Sequence, residues 1–177
     1  MLEVFKFCKT REVKSPVRGT DESAGIDFFV PTNIDLKLWN EKCKVTSVEP
    51  RYIINNNGFL SEIILAPGES VLIPSGIHIT LPKGYKLKFE NKSGVAAKKH
   101  SLVGSSVVDS DYFGEIHINL HNVGTSDVTI VAGEKIIQGI LYKIELPTIQ
   151  EYSSTEFLYA DKKSERGAGG FGSTGTK

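Results

Sequence analysis

Short runs in which apolar and polar residues alternate constrain the fold of this chain more than any other feature. The runs at 85–90 (YKLKFE) and 115–121 (EIHINLH) alternate throughout, and 71–73 and 77–81 repeat the pattern on either side of a proline. Because successive side chains of a strand point to opposite faces, each run predicts a half-buried β-strand. The longer apolar run 136–144 predicts a more deeply buried strand. Turn sequences rich in glycine, proline and asparagine separate the runs, so the pattern predicts an all-β sandwich or barrel.

Three segments depart from this pattern. The segment 93–99 (SGVAAKK) predicts a short helix, with Ser93 as its N-cap and two lysines near its C-terminal end. The segment 33–61 holds the single tryptophan and an Asn-Asn-Asn-Gly turn, and we interpret it as an insertion containing a hairpin. The end of the chain is glycine-rich and polar, and we expect it to be mobile when nothing is bound. We therefore predict one domain over 1–165 and a mobile phosphate-binding tail over 166–177.

Charge and composition exclude several classes of function. Basic and acidic residues each number 21, so the formal net charge is zero. Proteins that coat nucleic acids or bind anionic membranes usually carry a basic surplus, so we expect neither partner. No run approaches the ~18 apolar residues of a membrane span, and no signal-peptide stretch is present. The two cysteines and four histidines show no metal-ligand spacing. We expect a cytoplasmic protein (host-cell cytoplasm if viral) with no metal held by side chains alone.

The tail has the residue types of a phosphate-binding loop. In the run 166–175 (RGAGGFGSTG), glycines let backbone N–H groups approach an anion, and Arg166 offers a planar pair of donors. Ser173 and Thr174 add hydroxyl donors, and Phe171 is an aromatic ring suited to stacking on a base. It is not a Walker A loop, because no Gly-Lys-Ser/Thr follows a strand. The segment suits a nucleoside polyphosphate, although composition alone favours a disordered linker.

Two internal motifs are candidates for the rest of a nucleotide site. A helix that begins at Ser93 directs N–H groups at the preceding loop, beside the charge of Lys92. This arrangement fits anion binding and an ordinary capped helix about equally well. In the run 107–114 (VVDSDYFG), the main chain of a strand edge could hydrogen-bond a base, and Asp109 could hold a water as general base. Taken alone, this second motif fits a plain acidic turn better.

Two single polar residues stand in apolar surroundings. Asp27 is a lone carboxylate in the run AGIDFF, and Gln138 interrupts the apolar strand predicted at 136–144. Either residue could belong to the site. A buried glutamine bonded to backbone groups is the usual alternative at such a position.

Together and in this order, the motifs resemble those of the trimeric dUTP diphosphatase (dUTPase) family. The five motifs are AGIDFF (24–29), NKSGVA (91–96), VVDSDYFG (107–114), GEKIIQG (133–139) and RGAGGFGSTG (166–175). The resemblance covers 24–175 apart from 33–61, a region that is longer here than the family usually has. The tail motif is the most specific of the five.

The resemblance implies a jelly-roll-like all-β subunit and a homotrimer whose three sites are shared between subunits. It implies hydrolysis of dUTP to dUMP and pyrophosphate with Mg²⁺, which lowers dUTP and supplies dUMP for dTMP synthesis. The family's Mg²⁺ is held by the substrate phosphates and waters rather than by a protein ligand, and Asp27 would lie near its water shell. No nucleic acid or membrane partner is implied.

The resemblance also implies roles for residues of the second, third and fourth motifs. Asp109 would activate a water that attacks the α-phosphate, and Tyr112 would pack under the deoxyribose, where a 2′-hydroxyl would clash. The backbone around Ser106, Val107 and Val108 would read uracil. The phosphates would contact Lys92, Ser93 and Gly94, and Gln138 would contact phosphate or ordered water.

The tail would close over the site of a neighbouring subunit. Arg166, Ser173 and Thr174 would then bind the γ-phosphate, while Phe171 covers the base with Gly172 beside it. Closure of this kind orients the phosphate chain and removes water.

The chain departs from the family pattern at several positions. Lys92 stands where the family usually has arginine. Lysine keeps the positive charge but lacks the two parallel donors with which arginine binds a phosphate. Ser106 stands where the family has glycine, and Ser105 where it has asparagine. The spacing from Lys92 to Asp109 is also shorter than usual, which shortens the hairpin that reads the base.

Two alternatives compete with the dUTPase interpretation. A related enzyme of the same fold, dCTP deaminase, needs a catalytic glutamate where this chain has Asn119, and asparagine cannot exchange the proton. The second alternative is a dUTPase-like regulatory protein that binds a partner through 33–61, where Trp39 lies. Activity and partner binding are compatible with each other.

Overall fold

The computed structural model describes residues 5–46 and 51–170, and strands predominate in them. The strands are β1 (Lys6–Lys9), β2 (Val17–Arg18), β3 (Ile26–Phe29), β4 (Lys44–Val45), β5 (Arg51–Ile54), β6 (Leu60–Leu65), β7 (Ser70–Pro74), β8 (Ile77–Thr80), β9 (Tyr85–Asn91), β10 (Ser101–Val103), β11 (Val107–Val108), β12 (His117–Asn122), β13 (Val128–Val131) and β14 (Lys135–Lys143). The helices are α1 (Leu36–Lys42), α2 (Ser93–Lys99) and α3 (Thr155–Leu158). The predicted all-β class is confirmed.

The chain divides into two compact units, 1–145 and 146–177. The first unit contains every strand named above together with α1 and α2, and the second contains α3. The predicted start of a separate tail at residue 166 stays a prediction. No helix among the described residues is long and apolar enough to cross a membrane.

The strands that the structure describes in the first unit pair antiparallel in four sheets. The largest sheet has the order β11-β9-β14-β3-β2, and the next has the order β10-β12-β7-β4. Two smaller sheets have the orders β13-β6-β5 and β1-β8. The buried side chains of these sheets form one hydrophobic core, in which Phe28 of β3 meets Phe89 of β9 edge to face at 5.0 Å. This arrangement is consistent with a jelly-roll-like sandwich.

The alternating runs become the strands that the sequence predicts. In β12 every second residue is buried, so Ile118 and Leu120 face the core while His117 and Asn119 lie on the other face. The long apolar run becomes β14, which pairs with β3 on one side and β9 on the other. This central position explains its apolar sequence, because a strand covered on both edges and packed on the core tolerates few polar groups.

The segment 33–61 contains the predicted hairpin and one helix that we did not predict. Strands β5 and β6 are joined by the Asn-Asn-Asn-Gly turn, where Asn55 Oδ1 accepts the N–H groups of Asn57 and Phe59. Helix α1 begins after Asp35, whose side chain accepts the Leu38 N–H at 2.7 Å. Its only buried residue is Trp39, so its seven residues carry too short an apolar pattern to predict a helix.

The tryptophan of this segment is a core residue. Trp39 is only 5% exposed and packs edge to face against Tyr52 of β5 at 5.4 Å. Its ring is therefore covered within the subunit and does not form a surface contact.

Helix α2 occupies the predicted segment, but its cap differs from the prediction. Lys92 is the N-cap residue and makes no capping hydrogen bond, and Ser93 is the first helical residue. The prediction that Ser93 caps the helix is therefore wrong by one position. The reason is that extended geometry persists through Lys92, at φ −81° and ψ 129°. Ser93 and Gly94 are consequently both exposed at the start of the helix.

Candidate active site

A cavity of about 250 Å³ opens beside β11 and the hairpin that follows it. Four of the residues predicted for the site line it: Val107, Val108, Asp109 and Tyr112. Five further residues complete its wall: Ser105, which the sequence marked only as a departure from the family pattern, and four that it did not single out, Leu72, Phe89, Ile116 and His117. The floor is thus apolar, and the polar groups come from the hairpin and from the first residue of β12.

The wall formed by β11 is the edge of the five-stranded sheet. Val107 lies opposite Lys88 and Val108 lies opposite Leu87 on β9, and among the described strands none pairs with the other side of β11. The Phe89 N–H donates to the Ser106 carbonyl at 2.6 Å, so Ser106 directs its main-chain groups at β9. Because hydrogen-bonding direction alternates along a strand, Val107 directs its N–H and C=O away from β9. The side chain of Val107 is 54% exposed, which leaves this edge accessible.

Tyr112 is held in the cavity by the backbone carbonyl of Glu115, three residues later in the chain. Its hydroxyl donates to the Glu115 carbonyl at 2.9 Å, and its N–H donates to the Asp109 carbonyl at 3.2 Å in the turn. Gly114 makes this folded arrangement possible, because a Cβ there would lie 2.3 Å from the Tyr112 hydroxyl. A side chain at position 114 would displace the ring.

The side chain of Glu115 fixes that carbonyl in place. Glu115 is 8% exposed, and its carboxylate accepts both Nε (2.9 Å) and a terminal nitrogen (2.7 Å) of Arg11. The same carboxylate accepts the Gly76 N–H at 2.7 Å. Burial by itself raises the pKa of Glu115, but the hydrogen bonds from Arg11 and Gly76 outweigh it and lower the pKa below its usual value. The Arg11–Glu115 pair is therefore ionised and supports the cavity from behind.

A second polar group, the Asp27 cluster, lies on the five-stranded sheet and consists of Asp27, Lys92, Lys135 and Gln138. Asp27 is only 4% exposed, yet both of its oxygens are engaged: Lys92 donates to Oδ1, and the Lys135 ammonium lies 3.1 Å from Oδ2. Gln138 lies directly across from Asp27 on β14. Two lysines on one carboxylate leave the cluster with a net positive charge, which favours an anionic ligand.

Gln138 connects the first two motifs through backbone contacts. Its Nε2 donates to the Asn91 carbonyl at 2.8 Å, and its Oε1 lies where a Cβ on residue 25 would be, only 2.0 Å away. The Gln138 amide thus occupies the space that a side chain at position 25 would need, which explains why this residue is glycine. The backbone bond that is usual for such a glutamine is present here.

Lys135 belongs to this cluster although no sequence motif pointed to it. In a regular strand, residues 135 and 138 point to opposite faces. Here the pairing of β14 with β3 shifts register between Lys135 and Ile137, so Lys135 lies opposite Phe29 and on the same face as Asp27. A bulge of this kind changes the face of one residue and cannot be read from alternation alone.

The Asp27 cluster and the cavity do not merge within one chain. Among the described residues that line the cavity, none belongs to the cluster or to the start of α2, where Ser93 and Gly94 lie. One chain therefore presents a cavity with an apolar floor and a polar rim, and a separate cluster with a net positive charge.

The described part of the tail is an exposed turn. Arg166 Nε donates to the Gly169 carbonyl at 2.7 Å, and Gly167 has a φ of 55°, which suits glycine. The other predicted tail residues, Phe171, Gly172, Ser173 and Thr174, lie outside the described residues.

The residue at the deaminase position has a structural role. Asn119 Oδ1 accepts the Ser105 N–H at 2.9 Å, and its Nδ2 donates to the Val71 carbonyl at 3.0 Å. The amide thus joins β7 to the loop before β11 and supports the cavity wall from outside.

Three comparisons with known proteins agree with one another. The family model for dUTPase matches residues 59–175, which include four of the five motifs. The deoxyuridine 5′-triphosphate nucleotidohydrolase of Brucella melitensis is 37% identical over 117 residues, covering 65% of this chain and 71% of that protein.

Among solved structures, the Staphylococcus bacteriophage 80alpha dUTPase with dUpNHpp superposes with a TM-score of 0.69 at 21% identity, covering 97% of this chain and 98% of that one. A mutant dUTPase from phage phi11 of S. aureus, described for its coordination of a structural Mg(II) ion, gives a TM-score of 0.63 at 17% identity. That superposition covers 86% of this chain and 99% of the phage protein. At these identities the structures establish the fold, while the family model and the Brucella protein establish the relationship.

Proposed function

This chain belongs to the dUTPase family, and from that premise we propose that it hydrolyses dUTP to dUMP and pyrophosphate. The observation that carries the proposal is the cavity. It places an open strand edge, a carboxylate and an aromatic ring around one volume of about 250 Å³. In a cell, this reaction would lower dUTP and supply dUMP for dTMP synthesis.

The open edge of β11 accounts for recognition of the base. Uracil presents an N3–H donor between two carbonyl acceptors. The outward C=O of Val107 can accept from N3–H, and its outward N–H can donate to one of the neighbouring uracil carbonyls. Cytosine lacks the N3–H, so it would leave the Val107 carbonyl without a partner. An unpaired polar group in an enclosed site is costly, and this cost produces selectivity. Ser106 and Val108 contribute by holding β11 against β9.

Tyr112 and Asp109 account for the sugar and the water. The ring of Tyr112 is held by the Glu115 carbonyl. In the proposed complex it packs against the deoxyribose, where a 2′-hydroxyl would clash with it. Asp109 is exposed at the mouth of the same cavity, where its carboxylate accepts a proton from a water. That water then attacks the α-phosphorus, and pyrophosphate leaves with the bridging oxygen.

The phosphates bind to cationic groups outside the cavity. Lys92 and Lys135 supply charge, and Gln138 orders water or phosphate beside them. Ser93 and Gly94, two exposed residues at the start of α2, supply backbone N–H donors. The tail adds Arg166 with Ser173 and Thr174 at the γ-phosphate.

The separation of the cavity from the Asp27 cluster supports sites shared between subunits. A homotrimer with three-fold symmetry brings the cavity of one subunit to the Asp27 cluster of another, and each triphosphate then spans two chains. The tail of a neighbouring subunit closes the site, with Phe171 and Gly172 over the base. Closure excludes water other than the nucleophile and fixes the phosphate chain.

The residues present fit Mg²⁺ carried by the substrate. Both oxygens of Asp27 are already ion-paired with lysines, so this carboxylate contacts the ion through water at most. When bound to the triphosphate, Mg²⁺ neutralises phosphate charge and makes the α-phosphorus more electrophilic. The protein's part is to hold the triphosphate in one conformation.

A second role through the insertion is supported by its exposed apolar residues. Leu36, Ile53 and Ile54 are each at least 39% exposed, so the insertion presents three large aliphatic side chains at its surface. We propose that a protein partner binds to this surface, and that the buried Trp39 takes no part in the contact. The double variant Ile53→Ser, Ile54→Ser should abolish capture of a partner that the wild type retains, while hydrolysis persists. Equal capture by both forms would exclude this surface.

The enzymatic proposal is tested with Asp109→Asn and the matched control Asp111→Asn, an exposed carboxylate of the same turn that does not line the cavity. Asp109→Asn should lower kcat by a factor of about 10²–10⁴ while binding of dUpNHpp persists, and Asp111→Asn should retain activity. In ¹⁸O-labelled water the wild type should place the label in dUMP. Unchanged turnover in Asp109→Asn, or label in pyrophosphate, would contradict the assignment.

A further inference from the structure

His117 lines the cavity although it lies outside the five sequence motifs. It is the first residue of β12 and stands opposite Pro74 of β7, on the face of the strand that points away from the core. Leu72, which lies on the same face, lines the cavity beside it. The base and sugar pocket thus contains one imidazole that the mechanism above does not use.

The hydrogen bonding of this imidazole determines what it can offer a ligand. His117 Nδ1 lies 3.0 Å from the Glu115 carbonyl oxygen. A carbonyl oxygen can only accept, so Nδ1 carries the hydrogen. In the neutral ring this leaves Nε2 as a hydrogen-bond acceptor, and among the described residues no protein group bonds to it.

The ring is also held in a fixed orientation. The carbonyl that it bonds is the one that accepts the Tyr112 hydroxyl at 2.9 Å. The side chain of the same residue, Glu115, is fixed by Arg11 and Gly76. Tyr112 and His117 are therefore two cavity side chains positioned by a single buried residue, and an acceptor held in this way is suited to a specific donor.

A deoxyuridine nucleotide has only two hydrogen-bond donors to offer this acceptor. They are N3–H of the base and the 3′-hydroxyl of the sugar, because every other polar atom of uracil, deoxyribose and ionised triphosphate is an acceptor. The outward carbonyl of Val107 already matches N3–H. The 3′-hydroxyl is therefore the donor that remains.

We propose that His117 is a specificity residue whose Nε2 accepts a hydrogen bond from the 3′-hydroxyl of the bound nucleotide. This inference rests on the proposed dUTP hydrolysis and adds a discrimination that it does not contain. The enzyme selects nucleotides with an intact 3′-hydroxyl over 2′,3′-dideoxynucleotides. The competing acceptor in the cavity is the carboxylate of Asp109, and the experiment below separates the two.

The test is the ratio of kcat/KM for dUTP to kcat/KM for 2′,3′-dideoxy-UTP, measured on each variant. We expect a ratio of about tenfold or more in the wild type, since the dideoxy substrate leaves the Nε2 acceptor of His117 unpaired inside the occupied cavity. In His117→Leu the ratio should fall to about one, because dUTP loses its extra hydrogen bond and the analogue loses nothing. His117→Gln, whose amide oxygen can still accept, should keep an intermediate ratio.

His121→Leu is the matched control, since it removes a histidine from the same face of β12 outside the cavity. It should keep the wild-type ratio. Each ratio comes from one preparation, so it does not depend on how much of a variant is folded. A wild-type ratio near one would overturn the assignment, because no group in the cavity would then recognise the 3′-hydroxyl. A wild-type ratio retained in His117→Leu would also overturn it and would point to Asp109. A wild type that does not hydrolyse dUTP at all would instead contradict the proposed function.

Discussion

Lys92 donates a hydrogen bond to the buried carboxylate of Asp27, and this contact joins the first two sequence motifs across the five-stranded sheet. Asp27 lies on β3 and Lys92 follows β9, while β14 runs between these strands and contributes Gln138 opposite Asp27. The lysine that stands where the family usually has arginine is thus fixed by an ion pair and does not extend loosely into solvent. Its charge is presented to ligand at one position.

The first prediction concerns this lysine. Lys92→Met should raise KM for dUTP by a factor of about 10–100, because a charge-assisted contact to phosphate is lost. Lys92→Arg should restore most of the affinity, since the charge returns. Lys98→Met removes an exposed cation from the opposite end of α2 and serves as the control, with an expected KM near that of the wild type. If Lys92→Met and Lys98→Met raise the steady-state KM for dUTP equally, substrate affinity depends on the net charge of the protein and not on a contact made by Lys92.

The second prediction concerns the support of Tyr112. A Cβ at Gly114 would lie 2.3 Å from the Tyr112 hydroxyl, so Gly114→Ala should displace the ring and lower kcat/KM for dUTP by about tenfold. Tyr112→Phe keeps the ring and removes one hydrogen bond, so its effect should be smaller, about threefold.

Gly19→Ala is a suitable comparison, because a Cβ there would approach nothing closer than 3.4 Å. It should leave kcat/KM unchanged. A Gly114→Ala enzyme as active as Gly19→Ala would show that the position of the Tyr112 ring does not matter for catalysis.

Much of this site follows from the sequence, and the remainder depends on tertiary geometry. Val107, Val108, Asp109 and Tyr112 are close in sequence, so a single hairpin brings them to one cavity. Asp27, Lys92 and Gln138 come from different motifs and meet only because β14 pairs with both β3 and β9.

Other members of the site carried no signal that local pattern could reveal. Lys135 reaches Asp27 through a register shift, which alternation cannot predict. His117 occupied a polar position in a run that predicted a strand, and such positions usually face solvent. Its role depends on the carbonyl of Glu115 and on the neighbouring β7. The burial of Trp39 carried no local signal either, since it depends on a short helix that covers the ring against Tyr52.

The third prediction is a pH dependence of stability that originates at Glu115. The pKa of this carboxyl is lowered from its usual value of 4.5, chiefly because Arg11 and the Gly76 N–H outweigh the effect of burial. A lowered folded-state pKa means that the ion pair stabilises the fold fully above about pH 4.5, and that this contribution is lost as pH falls through the folded-state value.

Glu115→Gln should therefore lower the free energy of unfolding by roughly 1–3 kcal/mol at pH 7, with a smaller difference from the wild type near pH 3. Denaturant titrations at both pH values and one protein concentration provide the measurement. Glu12→Gln, which removes a carboxylate that makes no ion pair among the described residues, is the control. A difference between wild type and Glu115→Gln that does not change with pH would contradict the ion-pair account.

The fourth prediction tests sites shared between subunits. Chains with Asp109→Asn contribute an intact tail but lack the general base. Chains truncated after Glu165 retain Asp109 as the general base but lack the tail, so neither homotrimer should be active. In trimers mixed at equal ratio, about one quarter of the sites combine both intact parts if the tail crosses to a neighbour. Activity near one quarter of wild type in verified mixed trimers supports sharing, whereas no recovery would mean that the tail serves its own subunit.

The most direct test of the central claim is a nucleotide panel with pyrophosphate release as the readout. With Mg²⁺ present and dUTP, dCTP, dTTP and UTP at equal concentration, dUTP should exceed each of the others by at least about 100-fold in kcat/KM. On the proposed mechanism, the Val107 edge would disfavour cytosine, the cavity would have no room for a 5-methyl group, and the ring of Tyr112 would clash with a 2′-hydroxyl. Pyrophosphate released equally from dCTP, or dCTP converted to dUTP with release of ammonia, would contradict the account.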